Sequence, residues 1–340
     1  MGNRSVATKA TQYCGIDVSA ASLAVAIICE GYPTEQRNFP NDTGGHKSLI
    51  AWLRKHKGHV RVSLEATGVY SFDLAVALNG ASEVEVAVLN PKVANRFAQT
   101  IRRSKTDAAD AEVLAEYSRR MPFQPWVAPN SNSIRLRSLV RYIESLSSQS
   151  AQNQNRLHAA QRSAVTPRCV IVDLKRAIAS LESRIHSLRR EAMMLVRQNE
   201  LLYQRYLLLV SVPGIAQVSA IQLLAELCTL PSDLTVREWV AHSGLDPAHE
   251  MSGTSVKKAS RISRAGNRHL RRALYMPALV ASRCDPYLKA FFESLLARSK
   301  ARLQALIAVA RKLLHAVYGI FKSGNKYDGS KLFPSACSVG

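Results

Sequence analysis

The sequence of 340 residues predicts an α/β domain with a mixed sheet over residues 13–125, followed by a region that is helical throughout. Three observations lead there. Two β-rich runs, "YCGIDVS" and "SLAVAIICE", flank a short polar turn. Strand-like and helix-like segments then alternate. Beyond the stretch 121–133, "MPFQPWVAPNSNS", apolar residues recur only at helical spacing.

The first two runs open the domain as a hairpin, with a third short strand near "EQRNFP". "GGHKSLIAWLRKH" follows as a helix, because Leu49, Ile50, Trp52 and Leu53 share one side. Then come the strand "VRVSLEA", the helix "YSFDLAVALNG" and the strand "VEVAVLN", closed by Pro91. The last helix of the domain lies in "RRSKTDAADAEVLAEYSRR", residues 102–120, and the prolines of 121–133 end it and read as a linker.

Residues 134–205 form a helical arm. Leu136, Leu139, Ile143 and Leu146 are helically spaced, and Leu174, Ile178, Leu181, Ile185, Leu188, Ala192 and Leu195 alternate steps of four and three, which is a heptad seam. The seam serves either a hairpin packed within one chain or a coiled coil between subunits; a polar arm with one narrow seam favours the second. Residues 206–322 form a helical C-terminal domain. In it, Pro213-Gly214-Ile215 separate two apolar segments in the pattern of a helix-hairpin-helix, where helix-start N–H groups face a phosphate. A tight turn between core helices needs the same residues, so both readings stand. The loop "LDPAHEMSGTSVKKASRISRAG", a helix "NRHLRRALYMPALVASR" and one long helix from about Tyr287 to Phe321 complete it, and 323–340 read as an irregular tail.

Composition narrows the function. Lys and Arg number 46 against 25 Asp and Glu, a formal charge of +21, which points to a nucleic-acid partner. A membrane is disfavoured: the most apolar run, "LQALIAVARKLLHAVYGIF", is interrupted by Arg311, Lys312 and His315, and the start lacks the apolar segment of a secretory signal. The protein is expected to stay in the cytosol. Cys14, Cys29, Cys169, Cys228, Cys284 and Cys337 are far apart, without metal-ligand spacing, and read as reduced, mostly buried thiols.

Asp107 and Asp110 follow Arg102, Arg103 and Lys105 directly and project side by side from a helix. Taken alone they suit helix capping, with Thr106 at the N-terminus. Asp17, set among apolar strand residues, and Glu65, at a strand end before Thr67-Gly68, change that reading, because carboxylates in such places need a cationic partner. Four carboxylates that converge on one sheet edge repel one another, and divalent ions with a taste for oxygen, Mg²⁺ or Mn²⁺, remove the penalty. Two such ions, roughly 4 Å apart, serve in-line phosphoryl transfer, with the neighbouring cations on the flanking backbone.

"GIDVS", "SLEATGVY", "LNPKVANRFAQTIRRSKTDAADAEVLAEY", "VSVPGIAQVSAIQLLAEL" and "SGTSVKKASRISRAGNRHLRRALYMPALVA" together resemble the DEDD transposases of the IS110 class of insertion sequences, relatives of Piv-type invertases. The resemblance spans about residues 13–322 and is weakest across the arm. It implies a RuvC-like member of the ribonuclease H fold, with Asp17, Glu65, Asp107 and Asp110 as metal ligands.

A second stretch carries Lys257, Lys258, Arg261, Arg264, Arg268, Arg271 and Arg272 without an acid, which suits phosphate contacts. Ser252, Thr254 and Ser255 lie just ahead; by spacing alone a serine beside a loop glycine is a turn former. The resemblance implies a nucleophilic serine here, with Ser252 at the matching place and Ser255 as the fallback. It also implies a covalent phosphoserine link, composite sites in a homodimer or homotetramer, and an element-encoded bridge RNA that pairs with donor and target DNA. The expected function is therefore DNA recombination. The alternatives are a Holliday-junction-type nuclease with water as nucleophile, and a non-catalytic nucleic-acid binder.

Overall fold

A computed structural model describes residues 11–56, 58–66, 68, 70–101, 106–248, 251, 252, 256, 257, 261–263 and 265–333. The chain forms two compact units, Met1–Ala128 and Pro129–Gly340.

In the first unit, β1 (Thr11–Val18), β2 (Ser22–Ile28) and β3 (Glu35–Pro40) form an antiparallel meander. On the other side of β1, β4 (His59–Glu65) and β5 (Val84–Leu89) add in parallel, giving the order β3-β2-β1-β4-β5. Parallel neighbours need crossovers, and α1 (Thr43–Leu53) and α2 (Phe72–Asn79) supply them. The residues between β5 and the end of the unit hold α3 (Pro91–Ile101) and α4 (Asp107–Arg120).

Alternation along β1 assigns the two faces. Cys14, Ile16 and Val18 are buried in one core with Leu49, Trp52 and Leu53 of α1 and Leu74 and Leu78 of α2. Gly15 and Asp17 face the other way, under α4. The proline-bearing stretch is less of a free linker than the sequence suggests: the Trp126 N–H donates to the Val86 carbonyl at 2.6 Å, and the Trp126 ring meets Phe72 edge-on. Helix begins again at Ser131, within the stretch read as linker.

The second unit is a helical body: α5 (Ser131–Arg162), α6 (Arg168–Arg197), α7 (Glu200–Val210), α8 (Gln217–Leu227), α9 (Val236–Ser243), α10 (Arg268–Cys284), α11 (Pro286–Ala297) and α12 (Arg302–Ser323), with a 3₁₀ turn at Gly329–Leu332. α5 and α6 pack on each other, burying Leu136, Ile143 and Leu146 with Leu181, Ile185 and Ala192. Leu181, Ile185 and Ala192 of the heptad seam are thus buried within the chain, as in the first of its two readings.

The single long helix expected from Tyr287 to Phe321 is two helices, because Ser299 adopts a left-handed φ of 58° and ends α11. α12 is the one helix among the described residues long and apolar enough to cross a membrane by length and composition. Its Leu306, Val309, Leu313, Leu314 and Val317 are buried in the helical core, and Arg311 donates to the Leu245 carbonyl, as in a core helix. The thiols also differ from expectation: Cys14 and Cys228 are buried, Cys29 is half-buried, Cys169 and Cys284 are exposed, and Cys337 lies outside the described residues.

Candidate active site

The acidic edge is built from the way α4 lies on β1. A Cβ on Gly15 would sit 2.0 Å from the Ala111 carbonyl oxygen and 2.2 Å from the Ala115 nitrogen, so only glycine lets the helix backbone rest on the strand. Ala111 and Ala115, both fully buried, keep the helix side of the contact equally thin. On the same face the Ser118 hydroxyl hydrogen-bonds to the Ser63 hydroxyl at 2.6 Å, which ties α4 to β4 as well.

Ser63 and Gly15 are register partners, so Ser118 and Ala115 rest at one level of the sheet, and the first turn of α4 comes near Asp17, whose carboxyl feels the charges of Asp107 and Asp110. Asp17 stands two residues beyond Gly15 on the same face. The parallel register that ends at Ile16 and Leu64, continued by one residue, puts Glu65 beside Asp17. α4 starts at Asp107 because the Thr106 side chain accepts from the Ala109 N–H at 3.3 Å. The cap is thus Thr106, which leaves Asp107 and Asp110 in the first turn, where negative charge is favoured by the exposed helix N–H groups.

The electrostatics reflect this convergence. Burial raises the Asp17 carboxyl above the ordinary aspartate range, and Asp107, Asp110 and Glu65 push it further in the same direction. Only the Val18 N–H opposes them. Among the described residues no three acidic, His or Cys side chains stand close enough to enclose one ion together as they are. The donor set nevertheless fits a hard divalent cation: four carboxylates within electrostatic reach, at a half-buried position, with the central one resisting ionisation.

The second candidate region lies in the C-terminal unit. The stretch read as a loop contains two short antiparallel pairings, together termed the ribbon: β6 (Pro247–Ala248) with β9 (Arg261–Ile262) and β7 (Met251–Ser252) with β8 (Val256–Lys257). Ser252 stands opposite Val256. Only the backbone of Ser252, Lys257 and Arg261 is described; Ser255, Lys258, Arg264, Arg102, Arg103 and Lys105 lie outside the described residues.

Among the described residues, several bonds hold the root of the ribbon. The Ser263 hydroxyl and N–H donate to Asp246 at 2.6 and 2.9 Å. Asn267 caps α10, accepting from the His269 and Leu270 N–H groups, and donates to Glu226 of α8 at 2.6 Å. Glu226, 2% exposed, also takes a two-pronged contact from Arg141 of α5 at 2.8 and 2.9 Å. Burial alone would raise the Glu226 carboxyl, but the bonds from Arg141 and Asn267 hold it below the ordinary glutamate range. Nearby, His269 and Arg272 both pair with Glu144, and Arg271 donates to the Ser243 carbonyl at 2.8 Å. Two of the cations expected on nucleic acid thus have partners inside the chain, whereas Arg268 is exposed.

Pro213-Gly214-Ile215 lie in the turn between α7 and α8. Its Gly214 has φ of +91°, and a Cβ there would lie 2.6 Å from the Pro277 carbonyl oxygen of α10. Close packing in the core therefore accounts for this glycine.

Residues 14–164 match the family model of the DEDD-type IS110 transposases, and residues 206–293 match that of the transposases of the IS116/IS110/IS902 family. The chain belongs to the IS110 family of transposases. As such it is a DNA strand-transfer enzyme with DNA as its partner, in a family that usually uses a divalent metal. The chain is similar to the pilin gene-inverting protein of Moraxella bovis, with 27% identity across 93% of this chain and 97% of that protein. The pilin gene-inverting protein of Moraxella lacunata gives the same figures. A 43.6 kDa protein of insertion element IS110 from Streptomyces coelicolor is 24% identical across 90% of this chain and 76% of its own length. The acidic edge falls inside the first matched span and Ser252 inside the second.

Gly15, Ser63, Ser118 and Glu226 escaped the sequence reading. A glycine inside an apolar strand, with alanines four apart on a later helix, was a usable signal for the first; a lone Glu in the apolar run "AIQLLAEL" was one for the last.

Proposed function

We propose that this transposase cuts and rejoins DNA with Asp17, Glu65, Asp107 and Asp110 as ligands of Mg²⁺ or Mn²⁺ and Ser252 as nucleophile. The observation that carries the reading is the repulsion gathered on Asp17 by its three acidic neighbours, at a place where α4 is held against the sheet by backbone contact. Such an arrangement costs stability and makes sense as a site whose missing charge arrives with the substrate complex. When bound, the ions would stabilise charge on the scissile phosphate and ease deprotonation of a hydroxyl.

The residues of the chain account for the remaining steps. The Ser252 oxygen bonds to phosphorus as its proton leaves, and the strand's own P–O bond breaks, its oxygen departing as a hydroxyl after taking up a proton. A hydroxyl of another strand then attacks the phosphoserine, and Ser252 is released with its proton restored. Bond energy is conserved, so strands are exchanged without hydrolysis. Arg102, Arg103 and Lys105 flank the acidic edge in sequence, and Lys257, Lys258, Arg261, Arg264 and Arg268 flank the serine; they hold phosphates. The start of α8, which has no side-chain cap, is a further phosphate contact.

The protein works as a homodimer or homotetramer, so that carboxylates and serine of different subunits act together, and an element-encoded bridge RNA selects donor and target DNA. The pilin gene-inverting relatives are named for the inversion of a gene, a rearrangement of DNA. The enzyme acts on the bacterial nucleoid in the cytoplasm.

The test mixes purified protein, Mg²⁺, the transcribed noncoding end of its element and a plasmid with the element's flanks. Recombinant joints should form with wild-type protein and vanish with Asp17→Ala and Ser252→Ala, and a protein–DNA adduct should be trapped only when Ser252 is present. Normal cutting by Ser252→Ala would instead make the protein a resolvase-like nuclease with water as nucleophile.

A further inference from the structure

The β1/β4 ladder ends at the Ile16–Leu64 rung, so Asp17 and Glu65 stand one residue past the last pairing of these two strands with each other, while Asp17 still pairs with Ala24 of β2 and Glu65 with Leu89 of β5. Asn41 spans this gap. It sits between β3 and α1, fixed by a tight helix start: a Cβ on Gly45 would lie 1.9 Å from the Pro40 carbonyl oxygen, and Asp42 caps the helix by accepting from the Gly45 N–H at 2.7 Å. From there the Asn41 backbone N–H donates to the Ala21 carbonyl at 2.9 Å, and its side-chain amide donates to the Ser19 carbonyl at 2.7 Å and the Tyr70 carbonyl at 3.1 Å. Ser19 and Ala21 belong to the turn that follows Asp17, and Tyr70 to the segment that follows Glu65.

One residue therefore bonds to both stretches that leave the acidic strand ends. Its orientation is determined. The amide oxygen meets His46 Nε2 at 2.9 Å, and a flipped amide would set that oxygen against two carbonyl oxygens. His46 is 8% exposed, and burial holds its pKa below the ordinary histidine value, so the ring is neutral and donates from Nε2.

We infer that Asn41, oriented by His46, is a positioning residue that sets the spacing of Asp17 and Glu65 by tying the turn after β1 to the segment after β4. The inference rests on the proposed role of the two carboxylates as metal ligands. Partners behind metal ligands change affinity or rate by about 10- to 100-fold when removed, and the same range is expected here.

The experiment measures Mn²⁺ binding to the full-length protein by calorimetry, DNA cutting with kcat and KM separated, and thermal melting. Asn41→Ala and His46→Leu should both weaken Mn²⁺ binding and lower kcat about tenfold or more, with KM for DNA unchanged. His46→Gln keeps a donor toward Asn41 and should restore most of both. Asp17→Ala serves as the reference for loss of the site. If Asn41→Ala only lowers the melting temperature, while its folded fraction binds Mn²⁺ and cuts as wild type does, the clamp is overturned and the site stands. If the wild-type protein binds no Mn²⁺, the metal reading itself is overturned and the clamp with it.

Discussion

The acidic edge of the first unit and the root of the serine ribbon of the second are held by different means. Each carboxylate at the edge is carried by a long element: Asp17 by a strand still paired there with β2, Glu65 by one still paired with β5, and Asp107 and Asp110 by a helix that rests backbone to backbone on Gly15. Ser252 stands on a ribbon with two-residue strands, and among the described residues Asp246, Asn267 and Glu226 anchor its root. A metal site needs its ligands fixed within fractions of an ångström, whereas a nucleophile that must reach a phosphate needs only a firm base. The difference predicts that packing changes near Gly15 harm metal-dependent chemistry, and changes near Glu226 harm the serine step.

The largest effect should come from Gly15→Ala. Its methyl group would fall on the Ala111 carbonyl, and forcing α4 off β1 should cost about 3 kcal/mol in denaturant unfolding, with DNA cutting lost. Retained cutting would show that the helix contact does not set the site. Glu226→Ala comes next. It removes the acceptor shared by Arg141 and Asn267, and about 2 kcal/mol of stability should be lost, with less adduct at Ser252 but unaltered Mn²⁺ binding. Equal loss of both functions would erase the distinction between the regions.

A smaller effect tests the repulsion at Asp17. Its folded-state pKa lies above the unfolded value, so the contribution of protonation to stability is complete below about pH 3.9 and is lost as pH rises through the folded pKa. In chelator, wild-type stability relative to Asp17→Asn should fall across that window, and above it the variant should melt about 3 °C higher. A variant that melts lower would mean the carboxylate is stabilised by a contact the repulsion does not outweigh. The smallest change is Arg272→Ala. The side chain is 58% exposed in its pair with Glu144, so stability should move by less than about 1 kcal/mol. If Arg272 stays with Glu144, the salt dependence of DNA binding will not change; if it turns to a phosphate, the slope will fall by about one.

Much of the first unit was legible because charge and apolar alternation obey local rules. Asp17 drew notice as a carboxylate inside "CGIDVS", Glu65 as one at the end of "VRVSLEA", and the strands around them were bounded within a residue or two. The second unit was less legible. Ser299 gave no local sign that α11 would end there, and the short ribbon strands around Ser252 were hidden in a stretch rich in Ser, Lys and Arg. Gly15, Asn41 and Glu226 were missed for a common reason: each acts through residues far away along the chain, and no window of sequence contains both partners.

By itself, the sequence determined the strand-helix alternation of the first unit, the strongly basic character and the placing of Asp17 and Glu65 on strands and of Asp107 and Asp110 at a helix start, since each of these follows from residue type and periodicity. Only the tertiary structure decided that α4 runs with its first turn toward Asp17, that the heptad seam closes on α5, and that Asn41 bridges the strand ends. Those outcomes depend on which surfaces meet at close range, and contact between distant segments is a property of the packed chain that local preference does not encode.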